Sequence, residues 1–171
     1  MQGEAGVEHG KEQGMHRVMV GPATYENCRR AVAKAFEIFA PEVRAKTVLV
    51  KPNVLRAAEP REAITTHPAV VKAVVEYLQA SGAGRIIVGD NPGIFSYGAN
   101  EACFQKTGLM DASLGHYMNI GEEPESVPFN PEYMDAVAVS RAVLEAVLPR
   151  AGRPHFFFHC SRSRKGGSLA S

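Results

Sequence analysis

Two short apolar runs constrain this chain more than any other feature. Thr47-Val48-Leu49-Val50 and Arg85-Ile86-Ile87-Val88 are continuous and rich in β-branched residues, the mark of strands buried on both faces. Between them, Val70, Val71, Val74, Val75 and Leu78 recur at helical spacing, with Pro68 at the first helical position and Gly82 placed to end the helix. Strand, loop, helix and strand over this span make a βαβ unit, which requires two parallel strands joined by a right-handed crossover.

The pattern extends towards the N-terminus. Tyr25, Cys28, Val32, Ala35, Phe36 and Phe39 form an apolar stripe, so a helix is expected from Thr24, its cap, to a stop at Pro41. His16 to Val20, closed by Gly21-Pro22, reads as a further short strand. Residues 16–89 are therefore expected to run β-α-β-α-β, the first half of an open α/β, mostly parallel sheet with flanking helices. Cys28 falls on the apolar stripe and reads as a core residue.

Beyond the second strand the pattern weakens. Ala99 to Lys106 reads as a short helix stopped by Gly108, and residues 108–131 as loop. Asp135 to Ser140 reads as a strand, and Arg141 to Leu148 as one or two helical turns. Glu122, Glu123 and Glu125 read as a solvated acidic loop, and His116 as a surface histidine.

Composition excludes several classes. At 171 residues, with 45% hydrophobic and 22% charged residues, the chain suits one globular domain. No apolar run approaches a bilayer span, and residues 1–15 read as a polar, disordered leader without the apolar core of a signal peptide. Three widely spaced cysteines argue for a reducing compartment, so a cytoplasmic location is expected. The net charge of +1 includes four cations of the tail (Arg153, Arg162, Arg164, Lys165), which leaves a mildly acidic body. Such a body lacks the concentrated basic face that nucleic acid requires. Neither nucleic acid nor membrane is an expected partner, and the residues do not encode a readable oligomeric state.

Chemistry is expected at the carboxyl ends of the parallel strands. Lys51-Pro52-Asn53 follows one strand, and Gly89-Asp90-Asn91-Pro92-Gly93 follows the next. Thr65-Thr66-His67 precedes a helix on the same edge. Together they would suit a small anion or a nucleotide-like ligand. Lys51, Asn53, Thr65, Thr66, Asn91 and Gly93 would bind it, with free N–H groups at the helix end assisting. Asp90 would orient or deprotonate, and His67 would shuttle a proton or hold a metal. The structural alternative is that Thr66 or His67 only caps a helix, Asp90 to Gly93 only forms a turn, and Asn53 only bonds its own loop. No Walker A, Rossmann or nucleophile-elbow signature is present. His155, His159 and Cys160 have the spacing of half a metal site but no partners.

In the order and spacing of Val48 to Asn53, Thr65 to Pro68, Val88 to Gly93 and Phe104 to Gly108, the chain resembles the domain of unknown function 362 family over residues 16–150. The resemblance implies an α/β fold. Many members carry a later ferredoxin-like segment that binds iron–sulfur clusters through Cys-x-x-Cys motifs, and the family is distantly similar to nickel-dependent lactate racemase. This chain has no Cys-x-x-Cys, so no iron–sulfur ligand is assigned to any residue and the cofactor is left unidentified. The resemblance leaves two alternatives to an anion-binding domain. One is a fragment of an iron–sulfur redox or assembly protein without its cluster-binding half, and the other is an inactive remnant. Residues 151–171 depart from the family pattern. They are expected to be a basic tail, with an out-of-frame origin from residue 152 and a truncated domain as one explanation, and a native short form as the other.

Overall fold

The computed structural model describes residues 18–93 and 98–147. The leader, the basic tail and the His155/His159/Cys160 spacing lie outside the described residues. Helix α1 spans Cys28–Phe39, strand β1 Thr47–Val50, helix α2 Pro68–Ala80 and strand β2 Arg85–Val88. Helices α3 (Asn100–Lys106) and α4 (Leu109–Ala112) follow, then strands β3 (Pro124–Pro128) and β4 (Ala136–Ser140) and helix α5 (Arg141–Val147).

The βαβ unit is present as expected. β1 and β2 pair in parallel, Thr47 opposite Arg85 and Val50 opposite Val88. Alternation divides their side chains between two layers. Val48, Val50, Ile86 and Val88 join the main core with Val32 and Phe36 of α1 and Val71, Val74, Val75 and Leu78 of α2. Leu49 and Ile87 face the other way, against Ile120 and Ala142. Each wholly buried side chain of this size contributes about 1.5–3 kcal/mol. β2 is buried along Ile86–Val88, whereas all four residues of β1 are only half-buried. The expectation of two buried faces therefore holds for β2 and not for β1, whose one strand partner among the described residues is β2.

Beyond β2, residues 116–118 run alongside that strand. Val88 donates to the His116 carbonyl (2.8 Å) and Met118 donates to the Val88 carbonyl (3.0 Å). Gly89 makes this approach possible, since a Cβ there would lie 2.5 Å from Ile120 Cγ2 and 2.6 Å from the Met118 oxygen.

Three expectations are corrected. Val18–Val20 form no strand, and Val18 and Val20 are 80% and 92% exposed. Local propensity does not make a strand without a ladder, and among the described residues none pairs with 18–20. α1 begins at Cys28, four residues after Thr24. Thr24 donates to Asn27 Oδ1 (2.8 Å) and Asn27 N–H to the Thr24 carbonyl (3.2 Å), so local bonding makes residues 24–27 a turn. Finally, the stretch 108–131 contains α4 and β3. Proline at both ends and Glu-Ser between them hide β3 as a strand, yet its pairing with β4 runs from Pro124–Ser140 to Pro128–Ala136. The three glutamates are exposed as expected, but Glu123 and Glu125 pair with Arg141 at 3.6 and 2.8 Å. His116 is half-buried, with Nε2 3.0 Å from the Gln79 amide.

Candidate functional site

The register that sets Val50 opposite Val88 delivers Lys51 and Asp90 to the same carboxyl edge. There the Lys51 ammonium pairs with Asp90 Oδ1. The Asp90 side chain is 4% exposed and that of Lys51 59%. The second carboxylate oxygen accepts from the Val54 N–H at 2.6 Å. One buried carboxylate thus holds both the exposed cation and the loop that follows it.

A second clasp closes the same loop. Asn53 N–H donates to Thr66 Oγ1 (2.8 Å), Thr66 N–H donates to the Asn53 carbonyl (2.9 Å), and the Asn53 amide reaches the Ile64 carbonyl (3.4 Å). Gly93 N–H donates to the Leu55 carbonyl (2.9 Å), and a Cβ at Gly93 would lie 3.0 Å from that oxygen. Glycine suits this close backbone approach, since a larger residue would need the Leu55 segment to give by a few tenths of an ångström. Glu59 caps the short 3-10 turn Pro60–Glu62 and pairs with Lys106 of α3, while Arg56 pairs with Glu62 at 3.0 Å. Thr65 is half-buried.

His67 takes a different position. As N-cap of α2, its Nδ1 accepts from the Ala69 N–H at 3.2 Å, and its ring stacks on Tyr25 with centroids 3.6 Å apart and planes 7° apart. Burial holds the imidazole below its ordinary pKa, with the Glu26 carboxylate acting in the opposite sense. It bonds Ala69, stacks on Tyr25 and feels the charge of Glu26, and among the described residues no hydrogen bond or ring contact joins it to Lys51 or Asp90. The first turn of α2 is therefore occupied. Pro68 has no N–H, that of Ala69 goes to the His67 ring, and that of Val70 goes to the His67 carbonyl (3.0 Å). The expected free N–H groups of that helix end are in use.

Sequence reasoning missed Asn100. This buried residue sends its amide nitrogen to Asn119 Oδ1 (2.6 Å), Asn91 Oδ1 (3.2 Å) and the Asp90 carbonyl (3.4 Å). Asn119 in turn donates to Glu122 (2.9 Å) and accepts from Gly121 N–H (3.1 Å). This amide network holds the backbone after β2 through the Asp90 carbonyl and the Asn91 side chain. Its only sequence signal is an asparagine at a helix start, which by itself reads as a cap.

Among the described residues, no group of three or more His, Cys, Asp or Glu side chains is placed to hold a metal ion. Cys28 and Cys103 are buried free thiols in the main core, as expected for Cys28. A shallow groove lined by Phe36, Pro41, Val43, Arg44 and Tyr77 lies beyond the C-terminal ends of α1 and α2 and shares no residue with the strand-edge cluster. No described helix is long and apolar enough to cross a membrane.

No curated protein and no solved structure matches the chain. The family model described as Domain of unknown function (DUF362) does match, over residues 48–148, the span that runs from β1 through both strand-end loops and the amide network to α5, and the chain belongs to that family.

Proposed function

We propose that the carboxyl edge of the β1–β2 pair binds a small anion, a phosphate or a carboxylate, through Lys51. The observation that carries this reading is the unequal exposure of the pair: a nearly buried carboxylate fixes an ammonium that still faces solvent. An ammonium has three N–H donors, and an ion pair with the single oxygen Asp90 Oδ1 leaves donors that can turn to a ligand. The strand-end position supports the same reading, because open parallel sheets present their ligand crevices there. Asn53 and Asn91 are exposed on the two loops and supply neutral hydrogen-bonding groups at the rim. Asp90 fixes the cation and is the group that would orient a ligand or accept its proton.

Titration with inorganic phosphate and, separately, acetate, followed on amide resonances, tests this function and distinguishes the two anion classes. Saturable shifts at residues 51–54 and 89–91 are expected, lost in Lys51→Ala and weakened in Asp90→Asn. Lys34→Ala, which removes an exposed cation paired with Glu37 on α1, serves as the control. Binding that is equal in Lys51→Ala and wild type, or no saturable shift with either anion, overturns the proposal.

A further inference from the structure

We propose that His67 is a proton-operated latch, whose Nδ1 lone pair caps α2 when the ring is neutral and whose protonation there uncaps the helix and loosens the Thr66–Asn53 clasp beside Lys51. The argument begins with the tautomer. Nδ1 lies 3.2 Å from the Ala69 nitrogen, which has a hydrogen to donate, so Nδ1 is an acceptor and the neutral ring carries its proton on Nε2. A proton arriving from solvent at Nδ1 occupies the lone pair that receives the Ala69 N–H. Two donors then face each other, and the N2 amide of α2 loses its partner.

The ring has little freedom to escape this conflict. Tyr25 stacks against it almost in parallel, and the next residue, Pro68, fixes the backbone at the first position of the helix. On the α1 side, the Cys28 thiol lies within reach of both the Tyr25 carbonyl (3.3 Å) and the Ala69 carbonyl (3.4 Å), so the same peptide segment is contacted from a second element. Burial disfavours the protonated ring, and the Glu26 carboxylate favours it less strongly. Pro68, Ala69, Val70 and Val71 at the start of α2 carry no charge.

The sign of the effect follows. Because the native ring titrates below its unfolded value of about 6.5, the stabilisation from the neutral cap is complete above that pH and is lost as pH falls through the lower native value. Thr66 immediately precedes His67, and its N–H and hydroxyl both engage Asn53. A shift of the His67 backbone therefore acts directly on the strand-end loop. The latch concerns protein amides alone and stands whether or not an anion binds at Lys51.

Amide hydrogen exchange of the intact chain, from pH 7.5 down through the titration midpoint of the His67 ring as read on its own resonances and corrected for intrinsic exchange, tests the latch. Protection of Ala69, Asn53 and Thr66 is expected to fall together, by about fivefold, the usual worth of an N-cap side chain. His67→Asn supplies a capping oxygen that does not titrate, so protection in this variant is expected to stay level across the same range. In wild type, the Ala69 amide resonance should titrate with the same midpoint as the His67 ring, a readout that does not depend on the variant folding. Protection that stays level in wild type, an equal fall in His67→Asn, or an Ala69 resonance blind to the ring's titration overturns the proposal.

Discussion

The Asp90 carboxylate, 4% exposed, is bound on one oxygen by the Lys51 ammonium and on the other by the Val54 N–H. It thereby joins the loop after β1 to the end of β2. Removing either partner should have unequal consequences. Asp90→Ala leaves a buried N–H and a cation unmatched and is expected to cost about 2–4 kcal/mol. Lys51→Ala leaves the carboxylate with its Val54 bond, and because the lost ammonium is largely exposed the expected cost is about 1–2 kcal/mol. Urea unfolding of both single variants and the double variant checks this. The double variant should be less destabilised than the two single changes added together, since neither charge is left behind.

Gly89 offers a sharper steric test. A methyl group there would meet Ile120 Cγ2 at 2.5 Å and the Met118 carbonyl at 2.6 Å, and the carbonyl belongs to the segment bonded to Val88. Gly89→Ala is expected to cost about 1–3 kcal/mol, as overpacking does elsewhere. The loss should be visible as a lower melting temperature and as faster exchange of the Met118 amide. At Gly21 nothing lies within 4 Å of the same methyl group. Gly21→Ala should therefore leave the melting temperature within the small range typical of surface changes, about 0.5 kcal/mol.

Phe104 is wholly buried, and its ring centroid is 4.7 Å from that of Tyr117. It connects α3 to the segment alongside β2. Phe104→Ala is expected to destabilise by about 3–5 kcal/mol, whereas Phe104→Leu, which retains most of the volume, should recover more than half of that in denaturant midpoint. An equal loss in both variants would show that the aromatic contact, and not the volume, is what matters.

Glu62 gives a local acid response. The Glu59 N–H, 2.7 Å away, is the main cause that holds its carboxyl below the ordinary range. Slight burial opposes the shift, and Arg56 adds to it. A carboxyl with a lowered native pKa contributes stability that is present above its unfolded value of about 4.3 and is lost as pH falls through the native one. Exchange of the Glu59 amide should therefore speed up below that pH in wild type. In Glu62→Gln it should show no such step.

The sequence by itself determined the local elements whose period and punctuation agree. β1, α2 and β2 appear where their apolar runs, Pro68 and Gly82 placed them, because each run has the period of its element and each end carries the residue that stops it. It also determined the address of the candidate site, since the residues after parallel strands must share an edge. Partners within that edge were decided only by tertiary structure. Asp90 reaches Lys51 and Val54 across the sheet, Thr66 turns to Asn53, and His67 is drawn away to cap α2 and stack on Tyr25. Asn100 reaches the site from a helix that begins ten residues after Asp90. Local pattern carries no information about such pairings, because side-chain bonds of a few kilocalories are chosen after packing has fixed which backbone atoms lie within reach. The same reason explains β1. Its apolar run matches that of β2, but burial depends on how many neighbours a strand acquires, and β1 has one strand partner among the described residues.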